Sequence, residues 1–152
     1  MSRILAALAL AAALPAFAGE PVEVTISPVT QAVPAGRKPV FHVMVRALAP
    51  TRVADVARRD DLRNKLLRPR LFSDDRSFTM DDIPLEPKTV GPIGDDDYVQ
   101  VKPGEAYVFD TEGEPLRMET LPPGTYGVML RYRREFSAPQ VNSNRVTLTV
   151  SR

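Results

Sequence analysis

The sequence predicts an all-β sandwich of about seven strands, with an irregular, charged middle segment that allows one short helix. The first observation is alternation: apolar and polar side chains alternate at residues 22–26, 41–47, 126–132 and 146–150. Alternation with a period of two places apolar side chains on one face of a strand. The second observation is that Pro, Gly, Asn and Asp residues separate these segments, as in turns. Because strands with one apolar face need a second layer to cover it, we expect two packed sheets.

The N-terminus has the pattern of a secretory signal peptide. Arg3 precedes an apolar run from Ile4 to Leu14, and Ala16-Phe17-Ala18 supplies small residues before a cleavage site. The run is shorter than the roughly 20 apolar residues that span a bilayer. A buried N-terminal helix is the alternative. We therefore expect residues 1–18 to be removed and residues 19–152 to form one periplasmic or secreted domain without a membrane span.

Composition excludes several classes of site. The chain has no cysteine, which rules out disulfides, thiol nucleophiles and thiolate metal sites. It has 20 Lys and Arg residues against 19 Asp and Glu residues, and removing Arg3 with the signal peptide leaves 19 of each. Since binding to nucleic acid or anionic lipid favours a basic protein, neither is an expected partner.

The first strands are expected at 21–26 and 39–48. Val22, Val24 and Ile26 share one face of the first strand, with a turn following near residues 33–36. The second is apolar on both faces over part of its length, which is typical of a central strand. His42 lies on its outward face, with no partner identifiable from the sequence.

The middle of the chain is divided by charge. Residues 51–70 contain seven basic and three acidic residues, whereas residues 71–100 contain two basic and eight acidic residues. Either the two segments face each other or both are solvated. Leu62 and Leu66, one helical turn apart behind two aspartates, predict a helix of about eight residues. We expect a strand to begin at residue 70 and pair with 76–80, and a long loop over 81–97.

A closing hairpin organises the C-terminal third. Short strands are expected near 98–101 and 107–109, and the hairpin itself over Leu121–Val150. Three of its residues are assigned structural roles: Gly124, Tyr126 and Leu130.

Three sequence blocks carry a family resemblance. Val101-Lys-Pro-Gly-Glu105, Leu121-Pro-Pro-Gly-Thr-Tyr126 and Ser143–Val150 resemble the immunoglobulin-like and fibronectin type III-like modules of exported bacterial proteins. The resemblance covers about the last third of the chain well and does not extend over residues 51–97. It implies that the Tyr126 hydroxyl bonds to nearby backbone at a corner between sheets. Modules of this kind mostly bind or space other proteins, and some related sandwiches inhibit proteases through loops.

Acidic loop residues are the candidates for a metal site. Asp95, Asp96 and Asp97 supply the hard oxygen ligands that calcium prefers, as do Asp74-Asp75 and Asp81-Asp82. Their spacing does not match an EF-hand loop, and solvated turn carboxylates are the alternative. Zinc is not expected, because the chain has a single histidine and no cysteine.

No enzymatic activity is predicted. A glycosidase could use Asp74, Asp82 or Asp96, but nothing selects a pair among them, and the chain has no tryptophan to stack on sugars. No serine lies between the glycines of a nucleophile elbow. We therefore assign no catalytic residue and no cofactor.

The function expected is that of a non-enzymatic binding or accessory module that contacts another envelope or extracellular protein. Its expected contact surface combines Thr51–Arg70 with Asp81–Asp97, and the expected contact residues are Arg58, Arg59 and Arg63. The alternative is that these two segments are tolerated insertions that bind no partner. Other hypotheses are a protease inhibitor, and a calcium-dependent carbohydrate-binding domain or small enzyme. Another is a polyanion site, formed either by Arg131, Arg133 and Arg134 or by the arginine-rich middle segment. The sequence does not predict an oligomeric state.

Overall fold

The computed structural model describes residues 19–73, 79–81, 89–111 and 121–152. The predicted signal peptide, residues 1–18, lies outside the described residues, and so do Asp74, Asp75 and Asp82.

The described residues form eleven strands, one α-helix and one 3₁₀ turn. In chain order these are β1 (Val22–Pro28), β2 (Ala32–Pro34), β3 (Phe41–Ala47), β4 (Thr51–Ala54), α1 (Asp60–Leu66), β5 (Leu67–Ser73), β6 (Thr79–Asp81), the 3₁₀ turn (Asp95–Asp97), β7 (Tyr98–Val101), β8 (Ala106–Asp110), β9 (Gly124–Tyr132), β10 (Val141–Asn142) and β11 (Val146–Ser151). The all-β prediction with one short helix is therefore confirmed. Several strands are only two to four residues long, and the alternation signal does not reveal such short segments.

The strands form two main sheets and a ribbon. One sheet has the order β1-β3-β8, and the other has the order β2-β11-β9-β5-β6, with β10 pairing beside β9. The ribbon pairs β4 with β7. All these pairings are antiparallel except the parallel pairing of β2 with β11. The predicted central position of the second long strand, β3, is confirmed.

The core lies between the two sheets. Val43 and Val45 of β3 are fully buried, and so is Leu148 of β11. These residues belong to one continuous hydrophobic cluster that also contains Leu62 and Leu66 of α1. The cluster unites both sheets and the helix, which is how the alternating apolar faces are removed from water.

Asn144 joins the two sheets at their margin. Its side-chain oxygen accepts a hydrogen bond from the Ile26 N–H at 2.7 Å, and its amide nitrogen donates to the Ile26 carbonyl at 3.1 Å. One side chain thus satisfies both backbone groups of a β1 residue on the edge that faces away from β3. This arrangement protects an edge that would otherwise be open to strand pairing.

The closing hairpin has the predicted form. Strands β9 and β11 are antiparallel, and Tyr126, Val128, Leu130 and Tyr132 are buried on one face of β9. The Tyr126 hydroxyl donates a 2.8 Å hydrogen bond to the carbonyl oxygen of Pro122. Gly124 begins β9, and a Cβ at Gly124 would lie 3.6 Å from the Tyr126 ring, an ordinary contact distance.

The middle segment is more ordered than its sequence predicts. The helix over Asp60–Leu66 is confirmed, and its two aspartates lie in the first turn, whereas Arg59 occupies the N-cap position. Strand β5 follows the helix directly and begins at Leu67, three residues before the expected start. Residues 51–54 form β4, which was not predicted because burial of Val53 and Ala54 leaves no alternation to detect. Within the described residues, no helix has the length and apolar character needed to cross a membrane.

Candidate functional site

The predicted contact residue Arg59 lies in an intramolecular ion-pair network. Its guanidinium group is 2.7 Å from Asp61 and 3.0 Å from Asp97, and it donates a hydrogen bond to the carbonyl oxygen of Pro92 at 3.1 Å. Only 21% of its side chain is exposed. Arg59 therefore fastens the loop before β7 to the start of α1.

Arg58 and Arg63, the other two predicted contact residues, also bind within the chain. Arg58 is 3.0 Å from Asp97, although 55% of its side chain is exposed. Arg63 donates to the backbone carbonyl oxygens of Val56, at 2.6 Å, and Ala57, at 3.2 Å. Of the alternatives that the charge pattern left open, the described part of the acidic segment fits the first: Asp95 and Asp97 face arginines of the basic segment.

The carboxylates of this network have altered pKa values. The side-chain hydrogen bond from Arg59 holds the pKa of Asp61 well below its ordinary value. The pKa of Asp97 is lowered first by a hydrogen bond from the Gly94 N–H and then by Arg59. Asp61 in turn raises the pKa of Arg59. Arg59 therefore stabilises the charged forms of both carboxylates, and both carboxylates stabilise its charged guanidinium group.

Among the described residues, the candidate calcium ligands Asp95, Asp96 and Asp97 do not converge. Asp97 is occupied by the arginine contacts and the Gly94 N–H, while the exposed Asp95 lies 3.9 Å from Arg52. Asp96 is also exposed. Across residues 19–73, 79–81, 89–111 and 121–152, no group of three or more acidic, histidine or cysteine residues could hold a metal ion.

His42 has a partner that the sequence did not identify. Its Nδ1 lies 2.7 Å from a carboxylate oxygen of Asp110, directly across from it on β8. Both side chains are about half exposed. Strand alternation correctly placed His42 outward, but only the register of β3 with β8 brings Asp110 to it.

A second cluster of cations covers the outer face of the six-stranded sheet. On β5 the buried Leu67 and Leu71 alternate with half-buried outward residues, and β9 shows the same alternation. Because the two strands are paired, their outward arginines are brought onto one surface. We call this surface the cationic face, and its members are Arg68, Arg70, Arg131, Arg133 and Arg145.

Strand register sets the spacing within the cationic face. Arg68 on β5 is the direct cross-strand partner of Arg131 on β9. The Arg133 N–H donates to the carbonyl oxygen of Leu66 at 2.9 Å, which places the end of β9 against the end of α1. Like charges directly opposite each other in a sheet are unfavourable.

At the other end of the cationic face, the Phe72 ring contacts two arginines. The guanidinium group of Arg145 lies 4.6 Å from the centre of the Phe72 ring, and that of Arg70 lies 5.0 Å from it. These are cation–π distances. Arg145 reaches Phe72 across Gly127 of β9, where a Cβ would overlap the guanidinium group. Because glycine at position 127 has no side chain, Arg145 has room to cross the outer surface of the sheet.

The sequence pointed to some arginines of the cationic face, but it did not predict that they share one surface. Arg131 and Arg133 were considered for a polyanion site, and the arginine-rich middle segment was considered as a separate alternative. The third arginine of that set, Arg134, instead pairs with Glu20 at 3.0 Å and Glu135 at 2.9 Å. The alternation of both strands could have predicted two outward arginine rows, but the pairing of β5 with β9 could not be read from either strand alone.

The arrangement is suited to binding anionic groups. Guanidinium groups on a sheet face can donate charge-assisted, paired hydrogen bonds to carboxylate or phosphate oxygens. Among the described residues, no carboxylate lies within ion-pair distance of Arg68, Arg133 or Arg145. The face therefore offers donors that an anionic partner can use.

No protein-family model matches this chain, and no curated protein matches it. Among solved structures, the chain is similar to Spo0M, a sporulation control protein from Bacillus subtilis, with 12% identity and a TM-score of 0.46. The similarity covers 86% of this chain and 49% of Spo0M, so the chain spans about half the length of that protein.

Two further similarities are weaker. A β-glucosidase from Erythrobacter marinus has 12% identity and a TM-score of 0.42, over 85% of this chain and 15% of that one. AvmM, which catalyses macrocyclization in alchivemycin A biosynthesis, has 13% identity and a TM-score of 0.38, over 88% of this chain and 90% of AvmM. Similarities of this degree assign the chain to no family and to no activity.

Proposed function

We propose that this protein is an exported, non-enzymatic binding module that contacts an acidic segment of another protein through the cationic face. Export is supported by the signal-peptide pattern of residues 1–18. The choice of surface depends on one observation. Arginines from β5, from the end of β9 and from the residue before β11 lie on one sheet face.

Charge complementarity favours this face over the loops first considered. Arg59 and Arg63 are held by carboxylates or backbone carbonyls of the same chain, and a partner would have to displace those contacts. Arg68 and Arg133 have no such carboxylate partner among the described residues. Partner carboxylates could therefore bind to Arg68 and Arg133 without breaking an ion pair with a described carboxylate.

A protein partner is favoured over a long anionic polymer. The mature chain is close to neutral, so no general field draws nucleic acid towards it. The face also presents an aromatic ring between two guanidinium groups, a combination suited to a mixed acidic and apolar peptide. The immunoglobulin-like resemblance of the last third supports the same class, because such modules act mostly through protein contacts.

The test is crosslinking capture from the native envelope with three forms of the full chain. The face variant carries Arg68→Gln, Arg133→Gln and Arg145→Gln. The control variant carries Arg37→Gln, Lys38→Gln and Lys102→Gln, which remove the same charge from exposed positions outside the face. Glutamine keeps a polar side chain, and thermal unfolding shows whether each variant is folded.

We expect an acidic protein that crosslinks to the wild type and to the control variant but not to the face variant. Equal capture by all three forms would overturn the proposal. The contact through Arg58, Arg59 and Arg63, the inhibitor hypothesis and the calcium-dependent alternative stay predictions from the sequence.

A further inference from the structure

A polar cleft lies at one end of the cationic face. It has a volume of about 490 Å³ and is lined by Lys65, Arg68, Arg133 and Gln140. It forms where the last turn of α1 passes directly into β5 and meets the end of β9. The volume lies within the range of small-molecule sites.

The described residues that line the cleft all have polar side chains, and most of them are cationic. Three of the four lining side chains are positively charged, and the fourth carries an amide. Within the described residues, no carboxylate pairs with Lys65, Arg68 or Arg133. Three like charges around one cleft repel each other, and a multiply charged anion between them relieves that repulsion.

The backbone fixes the positions of these groups. The Arg133 N–H is bonded to the carbonyl oxygen of Leu66, and the Arg133 guanidinium group reaches the Phe136 carbonyl at 3.5 Å. Arg68 is half-buried on β5, across from Arg131. The guanidinium groups of Arg68, on β5, and Arg133, directly after β9, lose little freedom on binding an oxyanion, and Lys65 adds a more mobile charge.

We propose that this cleft binds a phosphate group, either as inorganic phosphate or as a phosphate monoester. The doubly charged form neutralises more of the three cations than a single carboxylate does, and its oxygens suit the paired donors of arginine. Among the described residues, the lining offers no aromatic or aliphatic residue for an apolar ligand. The cleft shares Arg68 and Arg133 with the cationic face, but phosphate binding does not require the acidic protein partner proposed above.

Isothermal titration at constant ionic strength tests the proposal. The purified protein is titrated with inorganic phosphate, with glycerol 3-phosphate and with acetate, at pH 8 and at pH 5.5. We expect saturable binding of phosphate, with affinity at least about tenfold lower for Arg68→Gln and for Arg133→Gln, since each change removes a charged donor pair. Binding should weaken at pH 5.5, because phosphate monoesters lose their second charge near pH 6.

The matched control is Arg145→Gln, which removes a charge from the same sheet face but outside the cleft. It should leave phosphate affinity within about twofold of the wild type. Binding of glycerol 3-phosphate as well as inorganic phosphate would identify a monoester ligand, and binding of inorganic phosphate alone would identify the free ion. If neither inorganic phosphate nor glycerol 3-phosphate shows saturable binding, or if Arg145→Gln weakens binding as much as Arg133→Gln, the proposal is wrong. That failure would leave capture of an acidic protein by the cationic face unaffected.

Discussion

The guanidinium group of Arg145 lies over Gly127, in the space that a side chain at that position would fill, and continues to the ring of Phe72. This contact ties the residue before β11 to the outer surface of β9 and β5. It gives the cationic face a fixed arginine at the end opposite the phosphate cleft.

The Gly127→Ala substitution should displace Arg145 from Phe72 without changing the net charge of the cationic face. The new methyl group displaces only the flexible end of an exposed side chain, so the free energy of unfolding should change by less than about 1 kcal/mol. Affinity for an acidic partner should nevertheless fall, because Arg145 leaves Phe72. A double-mutant cycle with Arg145→Gln provides the check, since Gly127→Ala should have no further effect once Arg145 is gone. Additive effects would contradict the coupling.

Tyr126→Phe should lower the free energy of unfolding by about 1–3 kcal/mol, because the hydroxyl donates to the carbonyl oxygen of Pro122 in a buried setting. Urea denaturation monitored by circular dichroism measures the change. Tyr98→Phe is the matched control, because among the described residues the Tyr98 hydroxyl has no hydrogen-bond partner. It should change stability by less than about 0.5 kcal/mol. Equal effects of the two substitutions would argue against the corner bond.

Leu130→Ala should destabilise the fold by about 2–5 kcal/mol, since this side chain is 2% exposed at the centre of β9. Its neighbour Met129 lies on the outward face and is only half-buried. Met129→Ala should therefore cost much less in the same denaturation experiment. A smaller loss from Leu130→Ala than from Met129→Ala would mean that the faces of β9 are assigned the wrong way round.

Stability should fall steeply in acid because of Asp61 and Asp97. The pKa values of these two carboxyl groups in the folded state lie below the ordinary value of 3.8. Their ionised forms therefore stabilise the fold above that pH. This stabilisation is lost as the pH falls below 3.8 through the folded-state pKa values. Melting temperatures of wild type and Asp61→Asn, measured from pH 6 to pH 2, should differ at pH 6 and converge in acid. A constant difference across this range would contradict the assignment.

The sequence predicted the elements whose pattern is local. Alternation located β1, β3, β9 and β11, and the four-residue spacing of Leu62 and Leu66 located α1. These signals arise within a single strand or helix and need no knowledge of its neighbours.

The candidate site depended instead on pairing between distant segments. The cationic face exists because β5 pairs with β9, and the partner of His42 follows from pairing of β3 with β8. The charge division left open whether the basic and acidic segments face each other or are solvated, and it could not say which arginines would pair. Register is set by turns and by core packing over the whole fold, so a single segment does not encode it.

The most direct measurement of the central claim is the affinity of the purified protein for a fluorescently labelled glutamate-rich peptide, measured by anisotropy at several salt concentrations. The face variant should bind at least about tenfold more weakly than the wild type, and the control variant should bind within about twofold of it. Salt should weaken wild-type binding and bring it towards that of the face variant. Equal losses in the face and control variants would show that net charge alone attracts the peptide, and the cationic face would then not be the binding surface.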